Sequence, residues 1–111
     1  MSFGVPAVGA GEVPDDGLLI DVREPDEWAA GHAEAAVHIP MGEVVQRLPE
    51  IVELAGERPV HVVCKAGGRS AQVTAFLEQQ GVTARNVDGG MHAWQAAGRP
   101  LVSDRGEPTV L

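Results

Sequence analysis

The residues best suited to chemistry form one short run, Cys64-Lys65-Ala66-Gly67-Gly68-Arg69-Ser70. A cysteine does chemistry as its thiolate, and a thiolate forms readily where backbone N–H groups or positive charges surround the sulfur. Two glycines let the backbone curl until successive N–H groups face one point. A helix opening near Arg69 aims its unpaired N–H groups and the positive end of its dipole at the same point. Lys65 and Arg69 add two full positive charges. Such a loop both activates a nucleophile and holds an anion against it. A lone cysteine at the end of a buried strand is otherwise only a small apolar side chain. Here the glycines, the flanking bases and the helix start all favour the functional reading.

Loop length separates two chemistries. Arg69 lies five positions after Cys64, whereas cysteine phosphatases place one more residue between the two. Each residue adds up to about 3.5 Å of chain, so the shorter loop closes a tighter ring of N–H groups. That ring fits the terminal sulfur of a persulfide better than a tetrahedral phosphate, which favours sulfur transfer over phosphate hydrolysis or arsenate reduction.

The loop needs a strand before it and a helix after it, and the pattern supplies both. Val60-His61-Val62-Val63 is the clearest strand, bounded by Pro59, and Val73, Phe76 and Leu77 form a helical stripe within 69–80, closed by Gly81. Leu18–Val22 is a short apolar run, continuous rather than alternating, the mark of a strand buried on both faces. Further strands are predicted near Val5–Val8, over Ala35–Ile39 and over Ala84–Val87, with a helix over Glu24–Gly31. Residues 43–54 read as two short helices or one broken at Pro49. A last helix runs from Gly89-Gly90 through Trp94, and the segment after Pro100 is expected to be partly loose. Alternating strands and helices predict an α/β fold with a mainly parallel sheet, and ligands in such sheets sit at the carboxyl ends of the strands.

The composition fits one soluble globular domain: 111 residues, 44% apolar, without tyrosine. Sixteen acids against eight bases give a net charge of −8, which argues against nucleic acid as a partner. Residues 1–57 hold twelve acids and two bases, net −10, and residues 58–111 four acids and six bases, net +2. An anionic ligand is therefore expected to meet the second half. No signal peptide or membrane span is legible. One cysteine makes no internal disulfide, and His32, His38, His61 and His92 lack the spacing of metal ligands. The expectation is a cytoplasmic protein with no membrane partner, no metal and no cofactor, and nothing requires more than a monomer.

Four motifs in order resemble the rhodanese family of single-domain sulfurtransferases, over about residues 5–100. They are Leu19-Ile20-Asp21-Val22-Arg23-Glu24 with Glu27-Trp28, then Gly31-His32, the Cys64–Ser70 loop, and Gly89-Gly90-Met91-His92-Ala93-Trp94. The resemblance implies a parallel five-stranded sheet with helices on both faces, making 1–111 one domain with a tail at 101–111. It also implies that Cys64 takes sulfane sulfur from thiosulfate or another persulfide donor and passes it to cyanide, a thiol or a sulfur-carrier protein. Residues Lys65, Ala66, Gly67, Gly68, Arg69 and Ser70 would cradle that sulfur, with Lys65 and Arg69 orienting an anionic donor. With no second cysteine, the persulfide goes directly to an outside molecule. A sulfur-carrier or protein-binding module without turnover is the alternative.

The sequence departs from the family after Gly-His, where Ala33, Glu34 and Ala35 replace a branched apolar residue, Pro and Gly. That loop lies near the active site in the family. Asp21 and Arg23 are read as structural anchors, His32 as a hydrogen-bonding turn residue, and Trp28 and Trp94 as packing residues. His61 is expected in the core or at a sheet edge, and no role is assigned to His92.

Overall fold

A computed structural model describes residues 4–111; residues 1–3, which open the Gly- and Pro-rich amino-terminal segment, lie outside it. Five strands form one sheet: β1 (Ala7–Gly9), β2 (Leu18–Asp21), β3 (Val37–His38), β4 (Val60–Val63) and β5 (Ala84–Asp88). Their order is β1-β5-β4-β2-β3, and every pairing is parallel. Helices α1 (Pro25–Ala30), α2 (Leu48–Ala55) and α3 (Gly68–Gln79) connect β2 to β5 in turn, and α4 (Gly90–Ala96) follows β5. Single 3-10 turns stand at Ala10–Glu12 and Met41–Glu43. No helix among the described residues is long and apolar enough to cross a membrane.

Strands β2 and β4 are apolar without alternation, apart from Asp21 and His61, because both are buried on both faces. Leu18, Ile20, Val60 and Val62 pack with Ile51, Val73 and Leu77 from α2 and α3. Leu19, Val63 and Val87 face the other way, onto Met91 and Trp94 of α4. Fully burying one such side chain is worth about 1.5–3 kcal/mol, so these two layers fix the sheet from which the cysteine loop hangs. His61 is buried in β4 with Nδ1 3.3 Å from the Leu18 carbonyl, and its pKa is lowered, chiefly by burial.

Several predicted elements differ in detail. β1 begins later than expected, at Ala7. Edge strand β3 keeps only Val37–His38 of the predicted Ala35–Ile39, because Ala36 N–H turns back to the Ala33 carbonyl. Pro49 does not break a helix; it stands in the first turn of α2, where its missing N–H costs nothing. The segment after Pro100 is docked rather than loose. Val102 and His32 exchange backbone hydrogen bonds of 2.8 and 2.9 Å, and the N–H groups of Asp104 and Thr109 donate to the carbonyls of Ala29 and Ala30. Those carbonyls end α1 and have no partner within so short a helix.

Asp21 and Arg23, both fully buried, form an ion pair of 2.7 Å, and Arg23 Nη2 also donates to the Gly31 carbonyl at 2.8 Å. The pair ties the end of β2 to the end of α1. His32 Nδ1 lies 2.7 Å from the Trp28 carbonyl. Trp28 is stacked between two imidazoles, with centroids 3.6 Å from His32 and 4.7 Å from His38. Trp94 packs in the second layer and donates Nε1–H to the Pro100 carbonyl.

Candidate active site

Cys64 follows the last residue of β4 and is 1% exposed, at the carboxyl end of the sheet. The loop then curls through Gly67, which takes φ +112°, a left-handed conformation, and caps α3. This turn brings the loop's N–H groups back toward the sulfur. Cys64 Sγ accepts from Gly67 N–H at 3.1 Å and lies 3.2 Å from the Ser70 hydroxyl. Burial pushes the thiol pKa up, but the Ser70 hydroxyl and the N–H groups of Ser70, Gly67 and Ala66 outweigh it, and the net shift is downward. The leading stabilisers of the thiolate are therefore fixed dipoles rather than the flanking bases.

A second element grips the loop from behind. Met91 N–H donates to the Cys64 carbonyl at 2.8 Å and His92 N–H to the Lys65 carbonyl at 3.1 Å. These bonds, from the first turn of α4, hold the loop carbonyls away from the sulfur and leave its N–H groups to face it. The approach is so close that a Cβ on Gly90 would stand 2.6 Å from the carbonyl carbon and oxygen of Lys65, and nearer still to the Cys64 oxygen. His92, given no role from sequence, acts here through its backbone alone.

Asn86 of β5 completes the support and was not singled out from sequence. It is fully buried, its Nδ2 donates to the Gly67 carbonyl at 3.2 Å, and its Oδ1 stands 2.5 Å from Ser70 Oγ. The available signal was a polar side chain inside the Ala84–Val87 strand pattern.

The structure brings all seven residues of the predicted loop to one place, but their side chains do different things. Lys65 is half-buried, and among the described residues no carboxylate pairs with it. Arg69, expected to orient an anionic donor, has a carboxylate partner of its own. It makes a two-pronged ion pair with Glu27 of α1, Nη1 to Oε1 at 2.7 Å and Nη2 to Oε2 at 3.0 Å. The Arg69 hydrogen bonds chiefly hold the Glu27 pKa at about 2, against burial, with help from the Glu24 N–H. Glu27 was part of a recognised motif without a role, because its partner lies 42 residues away. The Ala33–Ala35 departure faces a different part of the surface. These residues line a surface cavity with Pro14, Trp94, Arg99 and Val102, and no residue of the cysteine loop lines it.

Comparison with known proteins follows the same lines. Residues 9–97 match the family model of the rhodanese-like domain. A sulfurtransferase of Allochromatium vinosum is 39% identical over 93 residues, covering 83% of this chain and 84% of that protein. The Bacillus subtilis protein YtwF, whose name assigns it to the sulfurtransferases, is 40% identical over 90 residues, 80% of this chain and 84% of its own length. Among solved structures, a rhodanese-related protein of Thermoplasma volcanium superposes with a TM-score of 0.78 at 29% identity, covering 87% of this chain and 97% of that one.

Proposed function

We infer that this chain, which belongs to the rhodanese-like domain family, is a sulfurtransferase that carries sulfane sulfur as a persulfide on Cys64. The observation that carries this reading is the polar cradle at Cys64 Sγ: the Gly67 N–H donates at 3.1 Å and the Ser70 hydroxyl stands 3.2 Å from a buried sulfur whose pKa is lowered. Such a sulfur gives up its proton more readily than a free thiol and without a general base, and the same groups are placed to hold a second sulfur attached to it.

In the first half-reaction the Cys64 thiolate attacks the outer sulfur of the donor. The donor's S–S bond breaks, and its electron pair leaves with sulfite when the donor is thiosulfate, or with a thiolate when it is a persulfide. In the second, cyanide or an acceptor thiolate attacks the outer sulfur of the Cys64 persulfide and restores the Cys64 thiolate. Sulfur moves without net oxidation, so no cofactor takes part. Cys64 is the only cysteine, so the acceptor is an outside molecule, a small thiol, cyanide or a sulfur-carrier protein. The cytoplasm, which keeps thiols reduced, supplies such acceptors.

The test is to incubate the protein with thiosulfate, and separately with an alkyl persulfide, and to weigh it intact beside the Cys64→Ser variant. Wild type is expected to gain one sulfur atom that cyanide removes, and the variant none. A sulfur that loads but passes to no small acceptor would return the carrier-module reading. No gain from either donor would end the sulfur-transfer reading.

A further inference from the structure

The pairing of Arg69 with Glu27 bears on which donor the site accepts. A guanidinium binds a sulfonate through the same two-pronged fork that it offers a carboxylate. Here both prongs are taken, at 2.7 and 3.0 Å, by a side chain from another element. Glu27 Oε1 also accepts from the Glu24 N–H at 3.0 Å, which fixes the carboxylate from its own helix. The pair is half-buried, with Glu27 14% and Arg69 34% exposed. Because the Glu27 pKa lies at about 2, held there chiefly by the Arg69 hydrogen bonds, the carboxylate stays charged wherever Cys64 is a thiolate. Glu24 and Asp26, both exposed, lie on the same short stretch as Glu27. Lys65 is then the one cation of the loop without a carboxylate partner among the described residues.

The two donor classes make different demands on such a site. Thiosulfate arrives as a dianion and leaves as sulfite, also a dianion, from a centre that already holds a thiolate. An alkyl or protein persulfide arrives with at most one charge on its sulfur and leaves as a monoanionic thiolate. Resting on the sulfur-transfer reading above, we propose that Glu27 is a specificity-determining residue, occupying the Arg69 fork so that the site favours persulfides, which leave as thiolates, over sulfonate donors such as thiosulfate. The transfer balances as before: the Cys64 thiolate takes the outer sulfur, the donor's S–S bond breaks, and the electron pair departs on the donor's inner sulfur.

The experiment measures the rate of Cys64 persulfide formation by intact mass for wild type and Glu27→Gln. The donors are thiosulfate and the persulfide of N-acetylcysteamine, which carries no carboxylate. Wild type is expected to react at least about tenfold faster with the alkyl persulfide. Removing the carboxylate charge in Glu27→Gln is expected to shift the ratio of the two rates about tenfold toward thiosulfate, and to make the thiosulfate rate fall more steeply with salt. A role confined to holding α1 in place would lower both rates together and leave the ratio unmoved, which overturns the proposal. So does a wild type that uses thiosulfate as fast as the persulfide, and that comparison decides alone should Glu27→Gln fail to fold. Loading from both donors at equal rates sinks this proposal and leaves the sulfur-transfer reading standing; loading from neither sinks both.

Discussion

Replacing Gly90 by alanine tests whether the carbonyls behind the cysteine loop are held as described. Gly90 has φ +59°, where a side chain costs about 1–2 kcal/mol. Its new Cβ would stand 2.6 Å from the Lys65 carbonyl and nearer the Cys64 oxygen, against about 3.3 Å for an ordinary carbon–oxygen contact. The neighbours are backbone, so one chain must move by about 0.7 Å or more. The carbonyls that move are the acceptors of Met91 and His92 N–H, at 2.8 and 3.1 Å. Each such bond contributes about 0.5–1.5 kcal/mol net. Gly90→Ala is therefore expected to cost about 2–5 kcal/mol in urea unfolding, a large part of the about 5–15 kcal/mol typical of a domain. The pH midpoint of Cys64 alkylation by iodoacetamide should rise as the ring of N–H groups spreads. Gly68 is the comparison: a Cβ there would meet nothing within 4 Å, and its φ is not left-handed. Gly68→Ala, at the start of α3, should lie within about 1 kcal/mol of wild type or gain slightly. A Gly90→Ala protein within about 1 kcal/mol of wild type, alkylated with an unchanged pH midpoint, would refute the reasoning.

Other consequences can be checked directly. The Cys64 pKa is lowered, by polar groups that outweigh burial, so alkylation should reach half its maximum at lower pH than for a free cysteine run alongside; Ser70→Ala should move that midpoint up, and an unmoved midpoint would remove the hydroxyl from the account. The Glu27 pKa falls from 4.5 to about 2 on folding, chiefly through Arg69, so its contribution to stability is complete above pH 4.5 and fades as pH falls toward 2. Urea midpoints for Glu27→Gln should trail wild type at neutral pH and converge with it in acid; a deficit independent of pH would contradict the pairing. Asp21→Asn strands the buried Arg23 guanidinium without a counter-charge and should cost about 3–5 kcal/mol by urea unfolding, with a loss below about 1 kcal/mol counting against it.

The parts of this molecule legible in sequence are those whose physics is local. β2 showed by Leu18-Leu19-Ile20 and β4 by three valines around His61, without the alternation of a half-exposed strand, because each is buried on both faces. The cysteine loop showed because glycines, bases and a helix start fall within seven residues. Pro49 misled because a proline is read the same way whether it breaks a helix or opens one. The supports of the loop were hidden for a different reason. Asn86 meets Ser70 across 16 residues, and Glu27 meets Arg69 across 42. Only the packing of β5 and α1 around the end of β4 brings such partners together, and no spacing rule announces it. The charge of Arg69 was visible in the sequence; its occupation was not.

The docking of residues 103–109 onto the end of α1 places that end under the control of residues made 74 or more positions later. Ala29 and Ala30 receive their carbonyl partners from Asp104, Ser103 and Thr109, and Thr109 lies against Gly31. Helix α1 carries Glu27, which holds Arg69. During synthesis from the amino terminus, the parallel sheet can close once β5 has emerged. The last turn of α1 remains uncapped until residue 109 has been made. The five strands can thus pair before the end of α1, the helix that carries Glu27, has its carbonyl partners, while the apolar layer over Leu19, Val63 and Val87 waits for α4, Leu101 and Val110.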